Sequence, residues 1–184
     1  MRFATPLLLL VIFLSSPVGV FAQDKGQAGI TMGFPASIGL VYHVSDKIAV
    51  RPDFAFSHSS GETDTPVGTL TSDSSSFSIG VSALFYLREW DKLRTYVTPR
   101  YGYTRTASET NSIVVGGSSV ETTTTTHAFG GLFGAQYSLH RHFSLFGEVG
   151  VNVTHGTGTS DATTTTSTSN SITSRTGAGV IFYF

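Results

Sequence analysis

Apolar and polar residues alternate along most of this chain with a period of two, and none of the apolar-face positions carries a charge. Ile30, Met32, Phe34, Ala36, Ile38, Leu40 and Tyr42 share one face. Ile48, Val50, Pro52, Phe54 and Phe56 continue it after Ser45-Asp46. The apolar residues then move to odd positions, from Phe77 to Leu87, Leu93 to Tyr103, Phe129 to Leu139 and Phe143 to Val153. They return to even positions at Thr176, Ala178, Val180, Phe182 and Phe184. A strand turns successive side chains to opposite faces, whereas a helix repeats every 3.6 residues, so the pattern predicts an all-β chain. The opposite face is Gly, Ser, Thr, Asn and Gln, with Arg51, Asp53, Arg100, Glu148 and Arg175 among them.

Charge decides which side of such a sheet meets water. Only 12% of the residues are charged, about half the usual share of a soluble domain. A soluble sandwich turns its apolar face inward and its charges out. A membrane barrel turns the apolar face to lipid and the polar face to its lumen. The first 22 residues fit export: Arg2 precedes an apolar run from Pro6 to Leu14, and Val20-Phe21-Ala22 offers small side chains where a signal peptidase reads them. The expected division is a signal peptide over 1–22 and an outer-membrane β-barrel domain over 23–184. The net charge of −1 gives no electrostatic footing for nucleic acid, and the lack of cysteine excludes disulfides and thiolate chemistry.

The connections alternate in length. Short turns are expected at Ser45-Asp46, Arg88 to Lys92 and His140 to His142. Long polar loops are expected at Ser59 to Ser75, Ala107 to Thr122 and Gly156 to Asn170. Outer-membrane barrels have short periplasmic turns and long extracellular loops, which orients the Ser/Thr loops outward and both termini to the periplasm. Seven spans are clear if the first strand is one long segment. A three-residue loop at Phe34-Pro35-Ala36, pairing Gly33 with Ser37, divides it and makes eight antiparallel strands. Pro52 and Pro99 each remove a ladder hydrogen bond, and a bulge is expected at each. Centring a hairpin on Arg141 pairs Leu139 with Phe143, Tyr137 with Leu145, Phe133 with Val149 and Glu148 with Gly134.

The last residues, Ala178-Gly-Val-Ile-Phe-Tyr-Phe184, resemble the closing strand of bacterial outer-membrane proteins. The whole mature chain resembles the small OmpA-like, OmpX-like and opacity-type barrels of the porin family. That resemblance implies that Phe184, Phe182 and Val180 are read by the barrel-assembly machinery. An eight-stranded barrel is narrow enough for its side chains to fill. Arg51, Arg100 and Arg175 therefore face Asp53 and Glu148 as a structural charge network, with a narrow solute pore as the alternative.

Two histidine groupings carry the remaining chemistry. His127 and His155 fall opposite each other and could share a metal, but a catalytic zinc wants three protein ligands, so no metal site is assigned. His58, Ser60 and Glu62 hold the residue types of a lipid-A hydrolase, but nucleophilic catalysis needs Ser and His in contact. No catalytic residue and no cofactor is expected. The runs Thr122 to Thr126 and Thr163 to Thr166 favour strands that reach beyond the membrane. The role expected is structural or surface-interacting, with outer-membrane lipid, lipopolysaccharide and host or environmental surface ligands as partners.

Overall fold

The computed structural model describes residues 25–34, 37–66, 68–113, 119–161 and 165–184. The expected leader 1–22 and Pro35-Ala36 lie outside them. Eight strands follow in order: β1 Ala28–Phe34, β2 Ser37–Ser45, β3 Ile48–Thr65, β4 Gly68–Trp90, β5 Leu93–Ile113, β6 Ser119–His140, β7 Phe143–Ser160 and β8 Thr165–Tyr183. Each pairs antiparallel with its neighbour, and β8 returns to β1 to close the ring. Gly33 pairs with Ser37, so the first apolar stretch is two strands and the count is eight.

The barrel is inside-out relative to a soluble core. Phe34 and Phe56 are 75% and 72% exposed on the outer face, while Leu84 and Tyr96 are fully buried in the lumen. Soluble proteins rarely show a contiguous apolar patch of more than a few hundred Å². Here the apolar belt runs round all eight strands, which is the arrangement of a chain solvated by lipid.

The hairpin register matches the alternation closely. Tyr137 pairs with Leu145, Phe133 with Val149, Gly134 with Glu148 and His127 with His155. Only the expected Leu139–Phe143 pair is wrong: Phe143 pairs with His140, and the register shifts between Ser138 and His140. The other two short turns do the same, with shifts at His43/Ser45 and Tyr86/Arg88 next to two-residue turns. The bulges thus sit at the turns, where they reconcile a tight reversal with strand twist.

No bulge occurs at Pro52 or Pro99, contrary to expectation. Pairing between β2 and β3 stops at Gly39–Asp53 and resumes at Tyr42–Val50 in the same register. The β4–β5 ladder likewise stops at Ser82–Arg100 and resumes at Phe85–Val97. The proline loses one amide, and the ladder skips that point. A bulge would have turned every outward side chain beyond it inward, so the apolar belt holds the register.

The long polar loops are also corrected. Most of Ser59 to Ser75, Ala107 to Thr122 and Gly156 to Asn170 is β-ladder, continuous with the barrel wall. Hydroxyl pairs link the strands in this region and just below it: Ser74 with Ser108 at 3.1 Å, Thr154 with Ser171 at 2.6 Å and Ser78 with Thr104 at 2.8 Å. Both faces of this extension are mostly polar, with Leu70 and Val120 as scattered exceptions, which erases the two-residue hydrophobic period that marks the strands below.

The lower lumen, toward the short turns, is a packed core. Val41, Ala49, Leu84, Tyr86, Tyr96, Ile181 and Tyr183 fill it, with Phe146 against them. Gly134 is the space that admits the Tyr96 ring, since a Cβ there would meet three of its atoms. Gly134→Ala is expected to destabilise the barrel by about 1–3 kcal/mol, the cost of overpacking. Urea unfolding from lipid vesicles, followed by the fluorescence of the single tryptophan Trp90, measures it. Gly131→Ala, with open space around the new methyl, should leave the midpoint unchanged.

Candidate functional site

The lumen side chains come from alternate residues of seven strands, β2 to β8, and form two layers. The lower layer is aromatic and amide. Tyr86 Oη donates to Gln136 Oε1 at 2.9 Å, and Gln136 Nε2 donates to Tyr183 Oη at 3.0 Å. His43 Nε2 lies 3.2 Å from the same Tyr183 oxygen. The Arg94 guanidinium stacks 4.1 Å over the Tyr86 ring and donates to the Asp46 carbonyl, with Glu89 3.4 Å from its Nε. Most groups taken out of water here are thus bonded to one another, while His43 Nδ1 is buried without a hydrogen-bond partner among the described residues.

The upper layer is ionic. Arg51 Nη2 donates to both Glu148 oxygens, at 2.7 and 2.8 Å, and both side chains are buried. Tyr96 Oη donates to Glu148 Oε1 at 2.9 Å, and the Arg51 guanidinium lies 5.0 Å above the Phe146 ring. Arg100 grips Asp53 in a fork: Nη2 donates to Oδ1 at 2.7 Å and Nη1 to Oδ2. Gly80 leaves the room for this fork, since a Cβ there would lie within 2.9 Å of Asp53 Oδ1. Arg175 lines the void beside both pairs but makes no hydrogen bond or ion pair among the described residues. Two ion pairs and one additional arginine therefore cross the lumen.

Sequence reasoning passed over Tyr86, Gln136 and Tyr183, which form the lower layer, and Tyr96, which ties it to the upper one. The signal was present, because each sits at inward parity among outward-facing apolar neighbours. Their polarity alone did not separate them from the many Ser and Thr residues on the same face.

The histidine groupings separate. His127 Nδ1 lies 2.8 Å from Tyr101 Oη on β5, whereas His155 Nδ1 lies 2.8 Å from Asn170 Oδ1 on β8. The two rings thus engage opposite neighbours. No group of three or more potential metal ligands occurs among the described residues. His58 Nδ1 is 3.0 Å from Ser75 Oγ across the β3–β4 ladder, not from Ser60. Ser60 lies two residues along the strand, about 7 Å away, and outside hydrogen-bond reach.

Residues 7–182 match the family described as the outer membrane protein beta-barrel domain. The chain belongs to that family. No curated protein matches it. Among solved structures, it is similar to Ail, the attachment invasion locus protein of Yersinia pestis, in complex with the heparin analogue sucrose octasulfate. That match has 15% identity, a TM-score of 0.51, and covers 87% of this chain and 99% of that one. It is also similar to Acinetobacter baumannii CarO, with 13% identity, a TM-score of 0.46, and coverage of 89% and 100%. At these identities the likeness is one of fold. The protein is an outer-membrane β-barrel, so its apolar belt faces lipid.

The ion pairs make a sharp prediction. Glu148→Gln leaves a buried Arg51 without its counter-charge and is expected to cost about 3–5 kcal/mol. Replacing both partners, Arg51→Met with Glu148→Leu, should restore most of that loss. Urea unfolding in lipid vesicles of the two single variants and the double variant measures the difference.

Proposed function

We propose that this protein is a non-catalytic surface-interaction barrel, exported by residues 1–22 and cleaved after Ala22. On this reading the barrel-assembly machinery recognises Phe184, Phe182 and Val180 and inserts the barrel with its short turns in the periplasm. The Ser/Thr-rich end then faces outside, among lipopolysaccharide and host or environmental ligands.

One observation carries the reading. The wall is much taller on β3–β8 than on β1 and β2. Pairing of β8 with β1 ends at Ala178–Phe34, and pairing of β3 with β2 ends at Phe54–Ile38. Beyond those points, among the described residues, β3 and β8 each have a single neighbour, β4 and β7. The upper edge of β8, Thr165 to Gly177, offers about 40 Å of backbone unpaired among the described residues. It contains no Pro or Lys of the kind that usually blunts an open edge. An extended peptide can add to such an edge through main-chain hydrogen bonds.

The chemistry of the extension favours a basic partner. Asp73 is opposite Glu109, Glu109 is opposite Glu121, and the Asp161 amide donates to the Glu121 carbonyl at 3.1 Å. Four carboxylates therefore line up across β4, β5, β6 and the residue that follows β7. The heparin analogue bound to Ail is a polyanion, which this row would repel. Thr168→Lys with Ile172→Lys, placed on the β8 edge, is expected to weaken binding of the purified protein to host extracellular matrix about tenfold. Unchanged binding by a variant that still migrates as a folded, heat-modifiable barrel sinks the edge-addition reading.

The alternative of a narrow pore meets the paired charges and the tyrosine layer across the lumen. No steady openings are expected in planar bilayers. Steady conductance that changes with Arg100→Ala would establish the pore instead.

A further inference from the structure

Above the Arg100–Asp53 fork, on the side of the long hairpins, the lumen holds a cavity of about 230 Å³. Arg100, Arg175, Asp53, Asn152, Ser78 and Thr104 are among the residues that line it. We propose that this cavity is a binding site for a small hydroxylated carboxylate, the chemistry of a sugar acid. The proposal is independent of the surface-interaction reading.

Charge points to a monoanion. The two arginines against one aspartate leave the lining with one positive charge in excess. Asp53 is already committed to Arg100 through both oxygens. Arg175 is half-buried and has no hydrogen bond or ion pair among the described residues. A guanidinium held partly out of water without a partner is costly, and a carboxylate matches its planar fork with two parallel hydrogen bonds.

The hydroxyl requirement comes from different groups. Asn152 Oδ1 is buried and without a hydrogen-bond partner, and a buried acceptor of this kind calls for a donor. Ser78 and Thr104 share one hydrogen bond at 2.8 Å, which leaves each hydroxyl further capacity on the cavity side. A ligand that presents a carboxylate to Arg175 and hydroxyls to Ser78, Thr104 and the Asn152 side chain matches this lining. The volume is below the ~300–1,000 Å³ of sites for drug-sized ligands, so it admits one molecule of monosaccharide size.

The test is a titration of the ¹⁵N-arginine-labelled barrel in detergent micelles. Arg175 Nε–H is assigned by its disappearance in Arg175→Gln. Glucuronate is expected to shift that resonance saturably, and glucose at the same concentration should not. Calorimetry should find glucuronate binding weakened about tenfold or more by Arg175→Gln and reduced by Asn152→Leu. Both variants are checked for heat-modifiable migration, and either one alone suffices if the other misfolds. A folded barrel with no saturable shift overturns the proposal, as does an equal response to glucose. Unchanged affinity in a folded variant at either position also overturns it. Competition by inorganic phosphate as strong as by glucuronate would overturn the assignment to a hydroxylated carboxylate.

Discussion

In hydrocarbon there is no water to bond a stray amide or carbonyl, and each one left unpaired costs several kcal/mol. Closure of the ring is therefore the condition on which the rest of this structure depends. The β1–β8 ladder supplies it, from Gly29–Tyr183 to Phe34–Ala178. Once the ring is closed, parity alone decides which residues meet lipid and which meet the lumen. The charge-free outer belt and the charged interior are two consequences of one alternation.

Closure also makes the lumen a low-dielectric space that must satisfy itself. The protein divides that task by height. Near the short turns, tyrosines, Gln136 and His43 bond to one another around an apolar core. One step higher, Arg51–Glu148 and Arg100–Asp53 hold the charges in pairs, with Tyr96 tying the two levels together through Glu148. Above them the side chains shrink to Ser, Thr and Gly, and the interior opens. The ion pairs thus form the boundary between a solid plug and a hydrated cup.

The sequence was most legible where one face met lipid. There the period of two is sharp, and it located the strands, the Gly33–Ser37 reversal and nearly every pair of the β6–β7 hairpin. It failed where that asymmetry disappears. The polar upper strands look like loops because neither face of them is apolar, although hydroxyl pairs and ladder bonds hold them in register. Pro52 and Pro99 misled because local rules favour a bulge, whereas the apolar belt on both sides of each proline forbids a change of register. The partners of Arg51 and Arg100 needed the barrel's three-dimensional closure, since Glu148 and Asp53 lie four and two strands away. The row of Asp73, Glu109, Glu121 and Asp161 is likewise invisible until the ladders are aligned.

The short first hairpin gives this barrel a mechanical polarity. Among the described residues, the β1–β8 seam is closed by six residue pairs and the β2–β3 ladder by five, against eighteen between β3 and β4. Those two short ladders join the first hairpin to the taller strands, so a pull on the amino-terminal end loads the weakest joints of the wall. The first hairpin should therefore peel away as a unit while the six taller strands stay joined. The same inequality applies in reverse during assembly, where a curved sheet of six strands can form before the last two complete the wall.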